Sequence, residues 1–229
     1  MQRHLVIFIS LSALLLASAG WLSRSSAQAG LSAYLRVTAA GVQVQRVNTA
    51  TPLPVSIETV IGAGDRIITD GAGRAEIVFR DAVTTTLEPN TTYSVLEFTG
   101  NADDFQLAVE VASGQTRQRI GTRLNRNSSY RVRTPGMTLG ARGTDFAVRV
   151  QNDGRSAMIV REGLVDAEGE AQRAEVGAGF GISARDGQLS DVVRADSFDE
   201  LYSSLDGCSV TVTTPDDVSL NLRLGPNEN

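Results

Sequence analysis

The chain has 229 residues, 41% of them hydrophobic and 21% charged, with a formal net charge of −5 at pH 7. With one histidine, His4, and one cysteine, Cys208, it lacks the side chains for an internal disulfide, for thiolate or imidazole zinc sites and for most nucleophile–histidine pairs. The acidic balance argues against nucleic acid as a partner. A chain of this length can bury one sizeable core. We expect no catalytic residue, cofactor or metal site.

The first 29 residues have the pattern of an export signal. An apolar stretch from Leu5 to Leu22 follows a short polar start, and Ala27 and Ala29 stand where a signal peptidase reads small residues, with Gly30 next. Cleavage there would give a periplasmic or secreted protein. The apolar stretch is also about long enough to cross a membrane. An uncleaved anchor is therefore the alternative, and only then would the membrane be a partner.

Residues 32–184 are predicted to form an all-β domain. Ala75, Ile77 and Phe79 share one face of a strand, and the same alternation recurs at 105–111 and 146–150. A period of two marks strands with one buried and one solvent-facing side, as in antiparallel sheets. Turn residues between the runs, such as Asp70-Gly71, favour tight hairpins. The predicted fold is a jelly-roll-like antiparallel β-sandwich with one short C-terminal helix.

The helix is predicted within a linker at 185–207. Ser197 and Glu200, three positions apart, form a capping box. Such a helix either packs on the β domain or acts as a spacer. Four apolar residues recur at helical spacing on one side: Phe198, Leu201, Tyr202 and Leu205.

The tail at 208–229 again alternates like β structure. Residues 218–227 resemble the start of a bacterial SH3-like domain, whose hallmark is an apolar-Asn-apolar-Arg-x-Gly-Pro run. The resemblance implies a partial domain, in which Cys208 is a candidate partner for a missing cysteine. A terminal β-hairpin docked on the main domain is the alternative.

Short motifs in the β region, taken in order, resemble those of FecR domains, over about residues 62–184 with the core motifs at 62–167. They are a Gly-Asp step with apolar strands (64–69 and 73–79), a Leu-x-Pro step (87–91), a strand ending in Thr-Pro (130–135), an Arg-Gly-Thr signature (142–148), a later glycine–valine strand (160–165) and a closing turn (176–179).

Two positions within these motifs bear on the structure. We interpret Arg142-Gly143-Thr144 as structural, because Gly143 would allow a bulge or a close backbone approach. Arg80-Asp81-Ala82 stands where the family has an Asp-Gly turn. The loss of that glycine leaves the turn type and the register of residues 83–87 open.

The resemblance implies a jelly-roll-like β domain outside the cytoplasmic membrane. Well-known FecR proteins bind the signalling domain of a transporter in iron–siderophore uptake and regulate a sigma factor inside the cell. Four residues precede the apolar segment, so we expect no cytoplasmic part to hold a sigma factor. What carries over is an exported, non-enzymatic module, with a role in signalling, that binds a protein or an envelope component.

Between Glu110 and Asp145 the sequence has seven arginines and no acid. A positive face built from them would attract an acidic protein or an anionic envelope component, and arginine suits bidentate contacts with carboxylate or phosphate. The alternative is that these arginines pair with Asp and Glu on neighbouring strands. The candidate partner-binding residues are Arg117, Arg119, Arg131 and Arg133.

A carboxylate-dependent extracellular glycan hydrolase is the alternative function. It would need two deep acidic residues facing each other in a groove. Sequence neighbours such as Asp103 and Asp104 point to opposite faces of a strand and cannot supply that arrangement. A membrane-tethered sensor with an uncleaved N-terminal anchor is the third hypothesis.

Overall fold

The structure, a computed structural model, describes residues 31–101, 104–121, 125, 127–205, 209–213 and 219–223. The predicted export signal, with Ala27, Ala29 and Gly30, lies outside these residues, as does Cys208. In the described part of the chain, no helix has both the length and the apolar character needed to cross a membrane.

Strands account for nearly all regular structure in these ranges, together with one helix, α1 (Phe198–Leu205). In chain order the strands are β1 (Ser32–Ala39), β2 (Val42–Gln45), β3 (Leu53–Val55), β4 (Glu58–Gly62), β5 (Arg66–Thr69), β6 (Arg74–Phe79), β7 (Val83–Leu87), β8 (Thr92–Gly100), β9 (Phe105–Ile120), β10 (Ser129–Arg133), β11 (Thr138–Ala141), β12 (Asp145–Val150), β13 (Ser156–Glu162), β14 (Leu164–Glu168), β15 (Arg173–Gly177), β16 (Phe180–Arg185), β17 (Gln188–Leu189), β18 (Val193–Arg194), β19 (Ser209–Thr213) and β20 (Ser219–Arg223).

The first 18 strands build two sheets that share one strand. The front sheet runs in the order β4-β1-β6-β7-β9-β12-β13-β16, with β17 and β18 along the far side of β16. The back sheet runs β3-β2-β5-β8-β9-β10-β11-β14-β15. The predicted all-β sandwich with one short C-terminal helix is confirmed.

Strand β9 is the shared strand. Its first half, residues 105–113, pairs in the back sheet, and its second half, 114–120, pairs in the front sheet. Gly114 stands at the changeover with φ +93°, and a Cβ there would lie 2.4 Å from the Thr91 Cα. In both sheets the strands that precede β9 in the chain lie on one side of it and those that follow lie on the other.

The inward faces of the two sheets meet in one buried cluster. The predicted alternation is confirmed in β6, where Ala75, Ile77 and Phe79 are all fully buried. Phe98 packs edge-to-face against Phe79 and Phe105, with ring centroids 5.3 and 5.9 Å apart. Each such aromatic pair adds about 0.5–1.5 kcal/mol to the stabilisation that burial provides.

One strand pair departs from the antiparallel prediction, because β9 and β10 are parallel. Strand β9 ends in the front sheet at Ile120, and the next strand, β10, begins in the back sheet at Ser129. Strand β10 therefore starts again beside the beginning of β9 and runs in the same direction, with Ser129 opposite Gln106 and Arg133 opposite Glu110.

The hairpin predicted at Asp70-Gly71 is also wrong, because β5 lies in the back sheet and β6 in the front sheet. The Asp70 Oδ1 instead accepts the backbone N–H groups of Ala72 and Gly73, at 2.9 and 2.8 Å, and holds a sheet-to-sheet crossing. Gly73 is needed there for space, since a Cβ would lie 2.3 Å from the Gly41 carbonyl oxygen.

The turn at Arg80-Asp81-Ala82 does close a hairpin. Arg80 and Asp81 adopt positive φ angles of 49° and 54°, and the Ala82 N–H donates to the Phe79 carbonyl at 3.0 Å. Strands β6 and β7 then pair in register from Phe79 opposite Val83. Two non-glycine residues thus occupy the left-handed region, and the register of residues 83–87 is settled.

Helix α1 packs on the outer face of the front sheet, over Ala147 of β12 and Ala157 of β13. Ser197 Oγ accepts the Glu200 N–H at 3.4 Å, and the Glu200 carboxylate accepts the N–H of Asp196, one residue before the predicted capping-box position, at 3.1 Å. The buried side of the helix consists of Phe198, Leu201 and Tyr202.

The C-terminal strands form a hairpin, with Ser209 opposite Arg223 and Thr213 opposite Ser219. Residues 214–218 and 224–229 lie outside the described ranges. The SH3-like assignment of the tail stays a prediction.

Candidate functional site

The four candidate arginines lie on two different faces. Arg117 and Arg119 project from β9 on the outer face of the front sheet, and Arg131 and Arg133 project from β10 on the outer face of the back sheet. The strand face shared by Arg131 and Arg133 is as predicted, whereas one continuous positive face is not formed. Of the other arginines in this stretch, Arg142 donates to the Asn125 carbonyl at 3.1 Å.

Arg117 forms a bidentate ion pair with Asp145. Its Nε lies 2.8 Å from Oδ1 and its Nη2 lies 2.5 Å from Oδ2. Arg119 approaches the same carboxylate, with Nε 3.5 Å from Oδ2. The hydrogen bonds from Arg117 lower the pKa of Asp145 and outweigh the opposing effect of burial, and the same contacts raise the pKa of Arg117.

The pairing follows from the strand register and explains the Arg-Gly-Thr motif at 142–148. Asp145 lies opposite Arg119 in β9, and on its other side a bulge between Asp145 and Phe146 shifts the register of β12 against β13. The Thr144 carbonyl accepts the Ile120 N–H at 2.8 Å, and Gly143 has φ +62°. The Arg-Gly-Thr-Asp run thus fixes the start of β12 against the end of β9.

The first FecR-like motif uses the same device. Asp65 is buried, and its Oδ2 accepts the Gly62 N–H at 2.9 Å and the Arg46 Nη1 at 2.8 Å. Arg46 also donates to the Val60 carbonyl at 2.7 Å and to Thr59 Oγ1 at 3.0 Å, along the free edge of β4. The Gly-Asp step therefore locks the turn between β4 and β5.

Arg131 and Arg133 have a different environment. Both are exposed, and within the described residues no hydrogen bond or ion pair holds either guanidinium. Strand pairing places Glu110 of β9 beside Arg133 of β10. A groove of about 490 Å³ opens on this face, between Arg131 on β10 and the acidic residues of β14 and β15: Asp166, Glu168 and Glu175.

The front sheet carries a row of three apolar side chains on its outer face, two of them exposed and Val78 half-buried, that the sequence reasoning missed. Val60, Tyr34 and Val78, named here the apolar row, are directly opposite one another across β4, β1 and β6. Tyr34 is 59% exposed and Val60 48% exposed. Ile77 and Phe79 point into the core, so Val78 between them lies on the outward face of β6, which is otherwise polar. An apolar residue at such a position was the signal in the sequence.

The groove on the back sheet does not provide the arrangement that the hydrolase hypothesis needs. Asp166 and Glu175 are directly opposite residues of adjacent strands, so they lie side by side, and both are exposed. A glycosidase uses a proton donor sheltered from water and a second carboxyl across the scissile bond. Among the described residues, no group of three or more His, Cys, Asp or Glu side chains is placed to hold a metal ion.

Comparisons with known proteins agree with this architecture. The family described as FecR protein matches residues 65–166. Two crystal structures of a candidate anti-sigma factor from Parabacteroides distasonis ATCC 8503, at 1.65 and 2.50 Å resolution, are similar in fold, with TM-scores of 0.50 and 0.49 and sequence identities of 18% and 16%. Each similarity covers 66% of this chain, and 69% and 68% of those chains. No curated protein matches the chain.

Proposed function

We propose that this chain, which carries a FecR domain at residues 65–166, is an exported, non-enzymatic β-sandwich module that binds a protein in the cell envelope, in signalling. The family match and the sandwich fold support a binding module. The ion pairs of Asp65 and Asp145 support a structural role for these two motif carboxylates.

The observation that carries the proposal is the apolar row on the front sheet. Helix α1 covers the outer face of this sheet over β12 and β13 and leaves the face over β4, β1 and β6 open. Tyr34 and Val60 are exposed and Val78 is half-buried, and a contiguous apolar patch of this kind on a sheet is a candidate surface for another protein. Tyr34, at the centre of the row, offers the large, stiff contact area that dominates many protein interfaces.

The charged residue at the end of the apolar row indicates which kind of partner fits this surface. The strand register continues the apolar row through Thr84 to Arg119. Arg119 is 64% exposed, and only its Nε approaches the Asp145 carboxylate, at 3.5 Å, whereas Arg117 holds that carboxylate with two hydrogen bonds. The partner that fits is a protein segment with apolar side chains on the row and a carboxylate at Arg119.

A site-specific photo-crosslinking experiment tests this surface. A photoreactive phenylalanine analogue replaces Tyr34 in the cells that natively produce the protein, and a matched analogue replaces Gln43, which is exposed on the back sheet. We expect a discrete adduct from position 34 and none from position 43. The adduct should disappear in Arg119→Glu and persist in Arg131→Ser. Equal adducts from both positions, or an adduct insensitive to Arg119→Glu, would overturn the proposal.

Export has its own test. N-terminal sequencing of the protein recovered from the periplasm or the medium should give Gly30 as the first residue. Recovery of the chain in the membrane fraction with Met1 or Gln2 at its start would favour the tethered sensor instead.

A further inference from the structure

Gly140 occupies the centre of β11 without a structural need for glycine. Its φ is not positive, and an added Cβ would meet nothing closer than the Asp166 Cβ at 3.9 Å. Glycine inside a strand weakens the strand, and it often marks a place where a ligand approaches the backbone closely. What Gly140 provides here is a bare stretch of backbone on the outer face of the back sheet.

Opposite charges flank this bare backbone. Strand pairing places Arg131 directly opposite Gly140 on one side, Asp166 directly opposite on the other, and Glu175 beyond Asp166. These four residues, named here the slot, line the groove of about 490 Å³. Two strand spacings, roughly 9.5 Å, separate the Arg131 and Asp166 backbones.

Within the part of the chain that the structure describes, the charges of the slot have no side-chain partner. Among the described residues, no ion pair or hydrogen bond joins Arg131, Asp166 or Glu175 to a side chain. The neighbouring cation, Arg173, is different, because its Nη2 lies 2.6 Å from Glu168 Oε1. The slot therefore has a free cation on one wall and free carboxylates on the other.

We propose that the slot binds a zwitterion, namely a free α-amino acid or a short peptide held through both of its charged ends. The ligand carboxylate pairs with the Arg131 guanidinium, which is suited to bidentate contact. The ligand ammonium pairs with Asp166 and Glu175. A simple anion would meet the two carboxylates, and a simple cation would meet Arg131, so neither matches both walls. This site is on the opposite sheet from the protein contact proposed above and does not depend on it.

Calorimetric titration of the full chain at pH 7 tests the slot with two probes, alanine and trialanine. We expect saturable binding of at least one, and the pair distinguishes a free amino acid from a peptide. N-acetylation of the bound probe should weaken binding at least tenfold, because it removes the ammonium. Amidation of its carboxyl group should do the same. Equal binding of capped and free probes, or no saturable binding at about 10 mM, would overturn the proposal.

Two glycine variants locate the binding. Gly140→Leu fills the slot with an apolar side chain and should reduce affinity at least tenfold at an unchanged thermal midpoint. Gly177→Leu is the matched control, because a Cβ at Gly177 of β15 has nothing within 4 Å, and it should bind as the natural chain does. Gly140→Ala replaces Gly140→Leu as the test variant if Gly140→Leu does not fold. Full affinity in a folded Gly140 variant would contradict the slot, whereas Arg119→Glu should leave it unaffected.

Discussion

Two aspartates, Asp65 and Asp145, each hold an arginine at the start of a strand. The arginine that meets Asp65 is 19 residues away in sequence, and the one that meets Asp145 is 28 residues away. The sequence motifs contain both carboxylates, but the partners come from elsewhere in the chain, Arg46 from just after β2 and Arg117 from β9. Residue-level reasoning could therefore identify the motifs and their glycines, and could not assign Arg117 to a structural ion pair before the strand register was known.

The Asp145 ion pair predicts a dependence of stability on acid. The pKa of Asp145 is lower in the folded state than its ordinary value near 3.8, so the stabilisation is present above about pH 4 and is lost as the pH falls. Asp145→Asn should lower the free energy of unfolding at pH 7 by about 1–2 kcal/mol. It should also flatten the decrease between pH 7 and pH 3. Urea denaturation at the two pH values measures both effects.

Asp199→Asn is the matched control for this prediction. Its ion pair with Arg149 is 3.2 Å long, and the Asp199 side chain is 88% exposed. Such exposed pairs contribute less than about 1 kcal/mol. If Asp145→Asn lost stability with acid as steeply as the natural chain, the role assigned to this carboxylate would be wrong.

At the scale of elements, helix α1 was predictable because its signals are local. The capping residues and the apolar stripe lie within nine positions of one another, and the helix forms where they indicate. Its docking place depends on Gly181 of β16, where a Cβ would lie 2.7 Å from the Leu201 Cδ1 and 2.8 Å from the Met158 carbonyl oxygen. Nothing in the local pattern identifies that contact.

Gly181→Ala tests whether α1 docks on the front sheet through close contact with Gly181. The added methyl group forces α1 away from the sheet or strains the Met158 backbone, and should cost about 1–3 kcal/mol of unfolding free energy. Gly177→Ala in neighbouring β15 should be neutral or stabilising by up to about 1 kcal/mol, since its Cβ meets nothing and alanine restricts the unfolded chain. Chemical denaturation of both variants gives the comparison. Equal stabilities would show that the helix is not seated on Gly181.

Strand pairing was less predictable than strand position. The alternation in β6 and β9 gave the right buried faces, since side-chain direction depends on local backbone geometry alone. The Asp70-Gly71 step gave a wrong hairpin prediction, because a turn signal does not specify whether the flanking strands pair with each other. Here Asp70 supports a crossing between sheets, and β5 and β6 find other partners.

For the whole molecule, β9 decides where the candidate arginines lie. Arg117 and Arg131 are close in sequence, but β9 has entered the front sheet at Arg117, and β10 returns to the back sheet before Arg131. Composition showed an arginine-rich stretch, and only the topology divides it between two faces. The apolar row and the slot are equally products of register, because each draws its residues from three or four strands.

Gly114 is the position on which this topology depends. Gly114→Ala combines a positive φ of +93° with a Cβ 2.4 Å from the Thr91 Cα, and should destabilise the protein by about 3 kcal/mol or more. Gly179→Ala is the control, since Gly179 has φ +81° but nothing within 4 Å. It should cost only about 1–2 kcal/mol. Denaturation midpoints that fall equally in the two variants would contradict the steric role of Gly114.

The shared strand also sets how the sandwich bears mechanical load. Strand β1 and helix α1, at the two ends of the sandwich region, both attach to the front sheet, on opposite sides of β9. Tension transmitted through the sheets from one end to the other must therefore pass across β9. Its hydrogen bonds to β7 and β12 in the front sheet, and to β8 and β10 in the back sheet, act as the seam that resists separation of the two halves.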